Sequence, residues 1–411
     1  MIVRLFIFSL LCAVPMQNLP AEKPPSAKQQ PVVDVYHGVE VSDPYRWLEN
    51  PRDEQVRSWS TSQNKYAREV LRKLPHVNKI RERVSEILAD KSESYSHVTL
   101  RDKRVFALKR QPPKQQPFLI VMESLQDAAS ARTLVDPDAI DDEGTTRIDW
   151  FVPSPDGKVV AVSLSRLGTE SGDVHLFDTS TGEKVHEVIP RVNGGTAGGD
   201  LAWLPDGSGF FYTRYPRGEE RPAEDRDFFQ QVYFHQLGRP TTEDRYELGE
   251  GLPRIAEIQL VTHPTSGELL ATVQDGDGGE FAHFLRSKDG SWRQFSRFGD
   301  RIVQAEFGPA GSLLLVSRHQ APRGKILRLA TSHLDSTQAE VIVPEGEDTL
   351  VSSFWGTPSL LFAGERIFAT YQLGGPSEIR VFDAEGKPLE APRQLPISSA
   401  GGMTMVGEED V

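Results

Sequence analysis

The sequence is almost devoid of cysteine. Cys12 is the single cysteine among 411 residues, and it lies in an N-terminal segment that we expect to be removed from the mature chain. A disulfide framework needs pairs of cysteines, and a thiolate zinc site needs several as ligands. The composition therefore excludes both for the mature chain.

The sequence also lacks a surplus of basic charge. Lys and Arg number 46 against 59 Asp and Glu, which gives a net charge of −13, and the basic residues form no stripe. This argues against nucleic acid as the main partner. Hydrophobic residues at 38% and charged residues at 26% are ordinary for a folded chain. These fractions exclude a largely disordered chain and a protein with many membrane spans.

One apolar run stands at the N-terminus. Residues 5–14 follow the cation of Arg4 and are interrupted only by Ser9. A run of this length cannot cross about 30 Å of hydrocarbon as a helix. The pattern instead predicts a secretory signal peptide over residues 1–21 and a periplasmic or secreted protein, with no membrane span.

The cleavage position is less well defined. Ala21 is small, but Leu19 at position −3 fits the small-residue rule poorly. Cleavage after Ala21 would remove Arg4 and leave 45 − 59 = −14. The sequence disfavours two alternatives. The polar, proline-rich residues 15–31 disfavour a buried N-terminal helix, and the bulky residue before Cys12 disfavours lipid attachment.

The next part of the chain changes from linker to helix. Residues 22–33 are predicted to be a linker, and residues 34–90 a helical segment. Asn50 is expected to cap the first helix, with Pro51 in its first turn, and the helix is expected to end at Pro75. Apolar residues recur on one face of each helix, at Val56, Trp59, Tyr66, Val70 and Leu74, then at Val77, Ile80, Val84, Ile87 and Leu88.

From residue 91 onward the hydrophobic pattern changes from helical spacing to alternation, which predicts short strands joined by tight turns. A unit of strand, polar turn, strand, looser loop and strand recurs. Its central turns have their middle residues at 102, 156, 206, 266, 310 and 365, so the steps are 54, 50, 60, 44 and 55. This spacing is typical of β-propeller blades with inserted loops. A β-sandwich would have to match it by chance.

The repeat predicts a mainly β fold, with a propeller over residues 91–411. The six turns account for six blades, and a seventh blade would begin only near Ser398. We therefore expect the last blade to be incomplete.

Several motifs resemble those of the prolyl oligopeptidase family of serine peptidases. The most specific is residues 36–38 (YHG) followed by residues 41–49 (VSDPYRWLE). The resemblance covers about residues 34–411, and its further matches are Trp59 with residues 63–66 (QNKY), 134–138 (LVDPD), 154–157 (SPDG), 202–207 (AWLPDG), 209–215 (GFFYTRY) and 277–283 (DGGEFAH). It implies a seven-bladed propeller that caps an α/β-hydrolase domain, with the N-terminal helices packed on the hydrolase.

The sequence departs from that family in its catalytic residues. The resemblance implies a serine in a glycine-rich elbow after the propeller, followed by an aspartate and a histidine. The nearest segments fail as elbows, because residues 194–198 (GGTAG) have threonine at the centre and residues 206–209 (DGSG) have the wrong spacing. No catalytic residue is assigned, the substrate-binding residues stay unidentified, and we expect the chain to be inactive alone, with no α/β-hydrolase domain in it.

Metal and cofactor sites are not supported either. There is no H-E-x-x-H motif, and the acidic residues 136–143 have Ile140 where a calcium loop needs an oxygen ligand. The second acidic segment, residues 275–280, is short and rich in glycine, so both are expected to be turns. Residues 194–199 (GGTAGG) lack the ending of a phosphate-binding loop and are expected to connect two blades.

The string at residues 43–47 (DPYRW) is the most distinctive, and we expect a structural role for it. Pro44 fixes a turn, Tyr45 and Trp47 are large anchors, and Arg46 can brace a carboxylate or carbonyls. This interpretation is favoured over a direct part in catalysis.

These observations predict the N-terminal and propeller portion of a secreted prolyl-oligopeptidase-like peptidase. Its propeller would restrict access of short, proline-containing peptides to a hydrolase domain missing from this chain. With that domain missing, the apolar faces of the two helices are expected to favour self-association. The alternative is a non-catalytic, secreted propeller that binds a peptide or a protein. The polar residues 407–411, with no closing strands after them, favour the first hypothesis.

Overall fold

The computed structural model describes residues 23–89, 92–124, 126–400 and 402–405. It divides the chain into two compact units, Met1–Asp90 and Lys91–Val411. The predicted signal peptide at residues 1–21 and the polar end at residues 407–411 lie outside the described residues. In the part of the chain that is described, no helix is long and apolar enough to span a membrane.

The first unit contains a β-hairpin and two helices. The strands are β1 (Val32–Tyr36) and β2 (Val39–Asp43), and the helices are α1 (Glu54–Arg72) and α2 (Val77–Leu88). The hairpin was not predicted, and its first strand begins within residues 22–33, the predicted linker. His37 and Gly38 form its two-residue turn with φ of 51° and 83°. Positive φ at both positions is the geometry that joins two twisted strands most tightly.

The predicted start of α1 was wrong. Asn50 does not cap the helix, because its Oδ1 accepts a hydrogen bond from the Arg52 amide (3.1 Å) and closes a turn instead. Asp53 is the N-cap, and its carboxylate accepts from the Gln55 amide at 2.8 Å. The helix also ends at Arg72, before the predicted Pro75. The second predicted helix coincides with α2.

The string at residues 43–47 has structural contacts. Arg46 pairs with the carboxylates of Asp34 and Asp43, which links the 3₁₀ turn after β2 to the hairpin. The Asp43 carboxylate also accepts from the Tyr45 amide (2.8 Å), and this hydrogen bond lowers the pKa of Asp43. Trp47 lies edge-on to Trp59 of α1, with ring centroids 6.4 Å apart.

The helices of this unit bury none of their residues. Leu71 is 54% exposed on α1, and Ile80 is 60% and Leu88 65% exposed on α2. Amphipathic helices normally gain their stability by burying such a face.

The described residues of the second unit form six antiparallel sheets in chain order, which we number blade 1 to blade 6. Blade 1 consists of β3 (Ser94–Arg101), β4 (Arg104–Arg110), β5 (Phe118–Met122) and β6 (Arg132–Val135). Blade 2 consists of β7 (Thr146–Pro153), β8 (Val159–Arg166), β9 (Gly172–Asp178) and β10 (Lys184–Asn193). Blade 3 consists of β11 (Leu201–Trp203), β12 (Gly209–Arg214), β13 (Gln231–Gln236) and β14 (Arg245–Leu248). A one-turn helix, α3 (Pro137–Ile140), lies between blades 1 and 2.

Blades 4 to 6 repeat this plan with one variation. Blade 4 consists of β15 (Ala256–Thr262), β16 (Leu269–Asp275), β17 (Phe281–Arg286) and β18 (Trp292–Ser296). Blade 5 consists of β19 (Ile302–Phe307), β20 (Ser312–Ser317), β21 (Lys325–Ala330) and β22 (Glu340–Val343). Blade 6 consists of β23 (Thr349–Leu350), β24 (Leu360–Ala363), β25 (Arg366–Gln372), β26 (Ser377–Asp383) and β27 (Pro388–Leu389). In blade 6, β23 and β24 both pair with β25, so its first strand is interrupted.

The predicted turns are all found between the first two long strands of a blade. In blade 2, for example, Asp156 Oδ1 accepts from the Lys158 amide at 3.1 Å, and Gly157 has a φ of 63°. An Asx turn followed by a residue with positive φ reverses the chain tightly. The propeller repeat predicted from turn spacing is therefore confirmed, with six blades in the described residues.

Neighbouring blades share their cores. Five clusters each combine residues of two consecutive blades, for example Val121 of blade 1 with Val162 of blade 2, and Ile258 of blade 4 with Phe211 of blade 3. A blade that packs against a neighbour on each side has both faces buried, which explains why its strands are apolar along most of their length.

The outer faces of the first and last blades belong to separate clusters. Blade 1 contributes Val105 and Ile120 to one cluster, and blade 6 contributes Phe368 to another that includes Met403. Thr404 donates to the Val98 carbonyl of blade 1 at 3.4 Å. The segment after blade 6 thus reaches from the last blade to the first.

Candidate ligand pocket on the propeller

The first strand of a blade has one edge without a neighbouring strand. In β15, the N–H groups of Ile258 and Leu260 lie on this edge and have no strand to pair with. They donate to Gln230 Oε1 (2.8 Å) and Asp200 Oδ2 (2.7 Å), both from blade 3. Unpaired amides away from water destabilise a fold, so these side chains take the place of a further strand.

The same region contains carboxyl groups with shifted acidity. Desolvation raises the pKa of Asp200 to about 7, although the amides of Leu260 and Leu201 hydrogen-bond to it. Desolvation also raises the pKa of Glu306 in β19 to about 7. Gln304 Nε2 donates to Glu306 Oε1 at 3.0 Å, and Gln304 Oε1 accepts from the Ser353 amide of blade 6 at 3.1 Å.

The interruption in blade 6 has a direct role in shaping this region. We call residues 351–359, between β23 and β24, the crossing segment. Trp355 in this segment donates through Nε1 to Glu257 Oε2 of blade 4 at 3.2 Å. The Phe354 ring lies 5.5 Å from that of Phe281, also in blade 4. The segment therefore links blade 6 to blade 4, in addition to its hydrogen bonds to Gln304 of blade 5.

A glycine-rich loop faces the crossing segment. Residues 194–199 connect β10 to β11, as predicted, and Gly194 and Gly198 exchange two backbone hydrogen bonds of 3.0 and 2.8 Å. The Tyr215 hydroxyl accepts from the Ala197 amide at 2.9 Å. A Cβ on Gly194 would lie 2.6 Å from the Tyr215 ring, and a Cβ on Gly198 would lie 3.0 Å from the Trp355 ring. The two tight contacts explain the need for glycine.

These elements line an open pocket of about 390 Å³. Its walls come from β7, the β8–β9 and β16–β17 connections, the glycine-rich loop, the start of β15 and the crossing segment. The lining residues are Arg147, Asp149, Trp150, Glu170, Asn193, residues 194–199, Glu257, Asp277 and Trp355. A second pocket of about 470 Å³ lies against the outer strands of blade 6 and lacks such a convergence of charged groups.

The acidic side chains of the pocket differ in their surroundings. Asp149 is 6% exposed and accepts from the hydroxyls of Ser163 (2.9 Å) and Ser165 (2.6 Å), and Arg147 Nε lies 3.6 Å from its Oδ1. Burial raises the pKa of Asp149, and burial and the charge of Asp277 raise that of Glu257.

The acidic segments singled out in the sequence have separate roles. In residues 136–143, Asp141 Oδ2 accepts from the Thr145 amide (3.0 Å) and holds a turn. Residues 275–280 form the β16–β17 connection, which brings Asp277 into the pocket. Within the described residues, no three His, Cys, Asp or Glu side chains are grouped closely enough to hold a metal ion.

Two buried histidines lie within 2.7 Å of a side chain of the kind found in catalytic pairs. His235 Nδ1 lies 2.7 Å from Asp244 Oδ1, and His283 Nδ1 lies 2.7 Å from Ser296 Oγ. Their exposed fractions are 1% and 0%, so a substrate cannot reach either. Burial lowers the pKa of His283 to about 3, which keeps its ring neutral.

The fold and the pocket define a β-propeller with a polar, partly aromatic pocket at the inner ends of its blades. A family model described as "Prolyl oligopeptidase, N-terminal beta-propeller domain" matches residues 24–408. The chain belongs to the prolyl oligopeptidase family.

Curated relatives and solved structures show the same relationship. The chain is 25% identical over 394 residues to a prolyl endopeptidase of Elizabethkingia miricola, covering 95% of this chain and 53% of the relative. It is 29% identical over 255 residues to prolyl oligopeptidase A of Galerina marginata, covering 55% of this chain and 34% of the relative. The chain spans about half the length of the curated relatives that it matches across most of its length.

The structural matches extend over nearly the whole chain. A structure from an analysis of two prolyl endopeptidases superimposes with a TM-score of 0.82 at 22% identity, covering 94% of this chain and 55% of the other. Prolyl oligopeptidase B of Galerina marginata, bound to a 25mer macrocyclization substrate, gives 0.75 at 19% identity, covering 89% and 53%. These similarities show the shared fold.

The raised pKa of Glu306 leads to a prediction about stability. In the unfolded chain this carboxyl ionises near its ordinary pKa of 4.5, whereas in the folded chain it keeps its proton up to about pH 7. The free energy of unfolding should therefore fall as the pH rises from 5 to 8. Glu306→Gln should flatten this dependence by about 1 to 3 kcal/mol, since one pKa unit corresponds to about 1.4 kcal/mol.

Urea unfolding at pH 5, 6, 7 and 8 would measure this effect. Asp200 should leave part of the slope in the variant, because desolvation raises its pKa as well. Glu385→Gln is the matched control, since this glutamate is exposed in the turn after β26. Identical pH profiles for Glu306→Gln and the wild type would show that Glu306 does not hold its proton in the fold.

Proposed function

We propose that this chain is the propeller portion of a secreted prolyl-oligopeptidase-like serine peptidase. Its role is to admit short, proline-containing peptides to a hydrolase domain and to exclude folded proteins. The observation that carries this proposal is the match of the family's propeller model to residues 24–408. Relatives named as prolyl endopeptidases extend to about twice the matched length, which leaves room for a catalytic domain in those proteins.

The pocket supports a part in peptide binding. It lies where inner strands, interstrand connections and the crossing segment meet, and it combines hydrogen-bonding groups with aromatic surface. Small-molecule and peptide sites have this mixture of apolar walls and a few fixed polar groups. Prolyl oligopeptidase B of Galerina marginata was solved bound to a 25mer macrocyclization substrate, and we extend substrate binding by the propeller to this chain.

A second candidate is a non-catalytic propeller that binds a peptide by itself. The observation that favours it is that all lining residues of the pocket come from this unit. The two candidates share peptide binding and differ in whether a catalytic domain acts on the bound peptide.

Binding and turnover should therefore be separable in this chain. A fluorescent octapeptide with a central Ala-Pro should bind the 411-residue chain and stay intact, because the sequence has no G-x-S-x-G elbow to supply a nucleophile. Trp355→Ala should weaken binding about tenfold, since aromatic walls contribute strongly to such sites. Fluorescence anisotropy would measure affinity, and mass spectrometry would detect cleavage.

The control for this experiment is Trp292→Phe, in β18, outside the pocket. Equal affinity of the wild type and Trp355→Ala would contradict peptide binding in the pocket. Cleavage that survives repurification and is blocked by a serine-directed inhibitor would contradict the assignment of catalysis to another domain.

The secreted location rests on residues 1–21 alone. Fusing residues 1–40 to a reporter enzyme that is active only after export should give activity outside the cytoplasm, and removing residues 2–21 should abolish it. Equal reporter activity with and without residues 2–21 would refute the signal peptide.

A further inference from the structure

The pocket holds an excess of negative charge. Four carboxylates line it, Asp149, Glu170, Glu257 and Asp277, and Arg147 is the one basic side chain among its lining residues. Arg147 lies 3.6 Å from Asp149, so it is already the partner of that carboxylate. Three carboxylates therefore face the pocket without a cation among the lining residues.

Glu257 is the most unusual of these three. It is only 8% exposed, and its Oε2 accepts the single hydrogen bond from Trp355. In the described part of the chain, its Oε1 has no hydrogen-bond donor and no basic group pairs with it. A carboxylate that is more than nine-tenths buried normally has a cationic partner or several donors. Glu257 lines the pocket, and its second oxygen lacks that partner.

The carboxylates of the pocket are spread out rather than clustered. Among the described residues, none of the acidic side chains forms a group of three that could hold one ion. The negative charge is instead spread around a space of about 390 Å³, far larger than a single ion needs. This distribution fits an organic cation with several hydrogen-bond donors.

Two indole rings complete the walls, and both are fixed. Trp150 Nε1 donates to Asn193 Oδ1 at 3.1 Å, and Trp355 Nε1 donates to Glu257 at 3.2 Å. With their N–H groups occupied, the rings can offer their apolar faces to a ligand. Indole faces attract ammonium and guanidinium groups through cation–π interactions.

We propose that this pocket binds the cationic group of a peptide, an ammonium or a guanidinium, with Glu257 and Asp277 as its counter-charges and Trp355 as its aromatic wall. The proposal rests on the proposed function, since it assumes that the propeller takes peptides. It adds a preference that would decide which peptides the propeller retains. The cation can come from two sources, a free N-terminus or a Lys or Arg side chain.

Three tetrapeptides separate these sources. Gly-Ala-Pro-Gly-amide carries only an N-terminal ammonium, acetyl-Lys-Ala-Pro-Gly-amide only a side-chain ammonium, and acetyl-Gly-Ala-Pro-Gly-amide no cation. Isothermal titration calorimetry with the 411-residue chain at pH 7 should give at least one cationic peptide an affinity about tenfold above the neutral peptide, as expected for a charge-assisted hydrogen bond.

Matched variants locate the effect. Glu257→Gln keeps an oxygen that can accept from Trp355, and Asp277→Asn changes an exposed side chain, so both should fold. Each should reduce the preference for the cationic peptide at least threefold. Glu385→Gln removes the same charge from the turn after β26, at the opposite end of the blades from the β16–β17 connection, and should leave the preference unchanged.

The outcomes distinguish this proposal from the proposed function. Equal binding of all three peptides would overturn the cation site and leave peptide binding intact. Loss of preference in Glu385→Gln as large as in Glu257→Gln would also overturn it, because the effect would then come from overall charge. Failure of the wild type to bind any of the peptides would overturn both.

Discussion

The innermost strand of each blade has an edge with no further strand to pair with, and the propeller must satisfy the amides on that edge. In blade 4, Gln230 and Asp200 of blade 3 accept from Ile258 and Leu260. Side chains at these inner ends also bind loop amides, since Gln304 of blade 5 accepts from Ser353 in the crossing segment. Such bonds fix neighbouring blades at their inner ends, while the shared apolar clusters hold their faces together.

This constraint also explains why the inner ends of the blades are rich in polar and acidic side chains. Asp200 accepts from two backbone amides there and is removed from water, and desolvation raises its pKa. Desolvation also raises the pKa of Glu306, which accepts from the side chain of Gln304. Glu257 lies in the same setting and receives only the indole of the crossing segment. The fold needs hydrogen-bond acceptors at the inner ends of its blades. It therefore places the Glu257 carboxylate there, with one oxygen left for a ligand.

Local chemistry decided how much could be predicted from the sequence. The blade turns were predictable because residues such as Asp156 and Gly157 specify a turn within four positions. The start of α1 was not, because Asn50 and Asp53 are both good caps and only the fold selects between them. The pocket was out of reach, since Glu257 and Trp355 are separated by 98 positions. No local pattern marks a contact of this kind.

Hydrogen exchange at the amides of Ile258 and Leu260 tests most directly whether side chains of one blade satisfy the inner edge of the next. Both amides should exchange as slowly as the ladder amides of β16. Gln230→Ala should accelerate exchange at Ile258 much more than at Leu260, because Asp200 still accepts from Leu260. Exchange of both amides in the wild type at the rate of exposed loops would contradict the account.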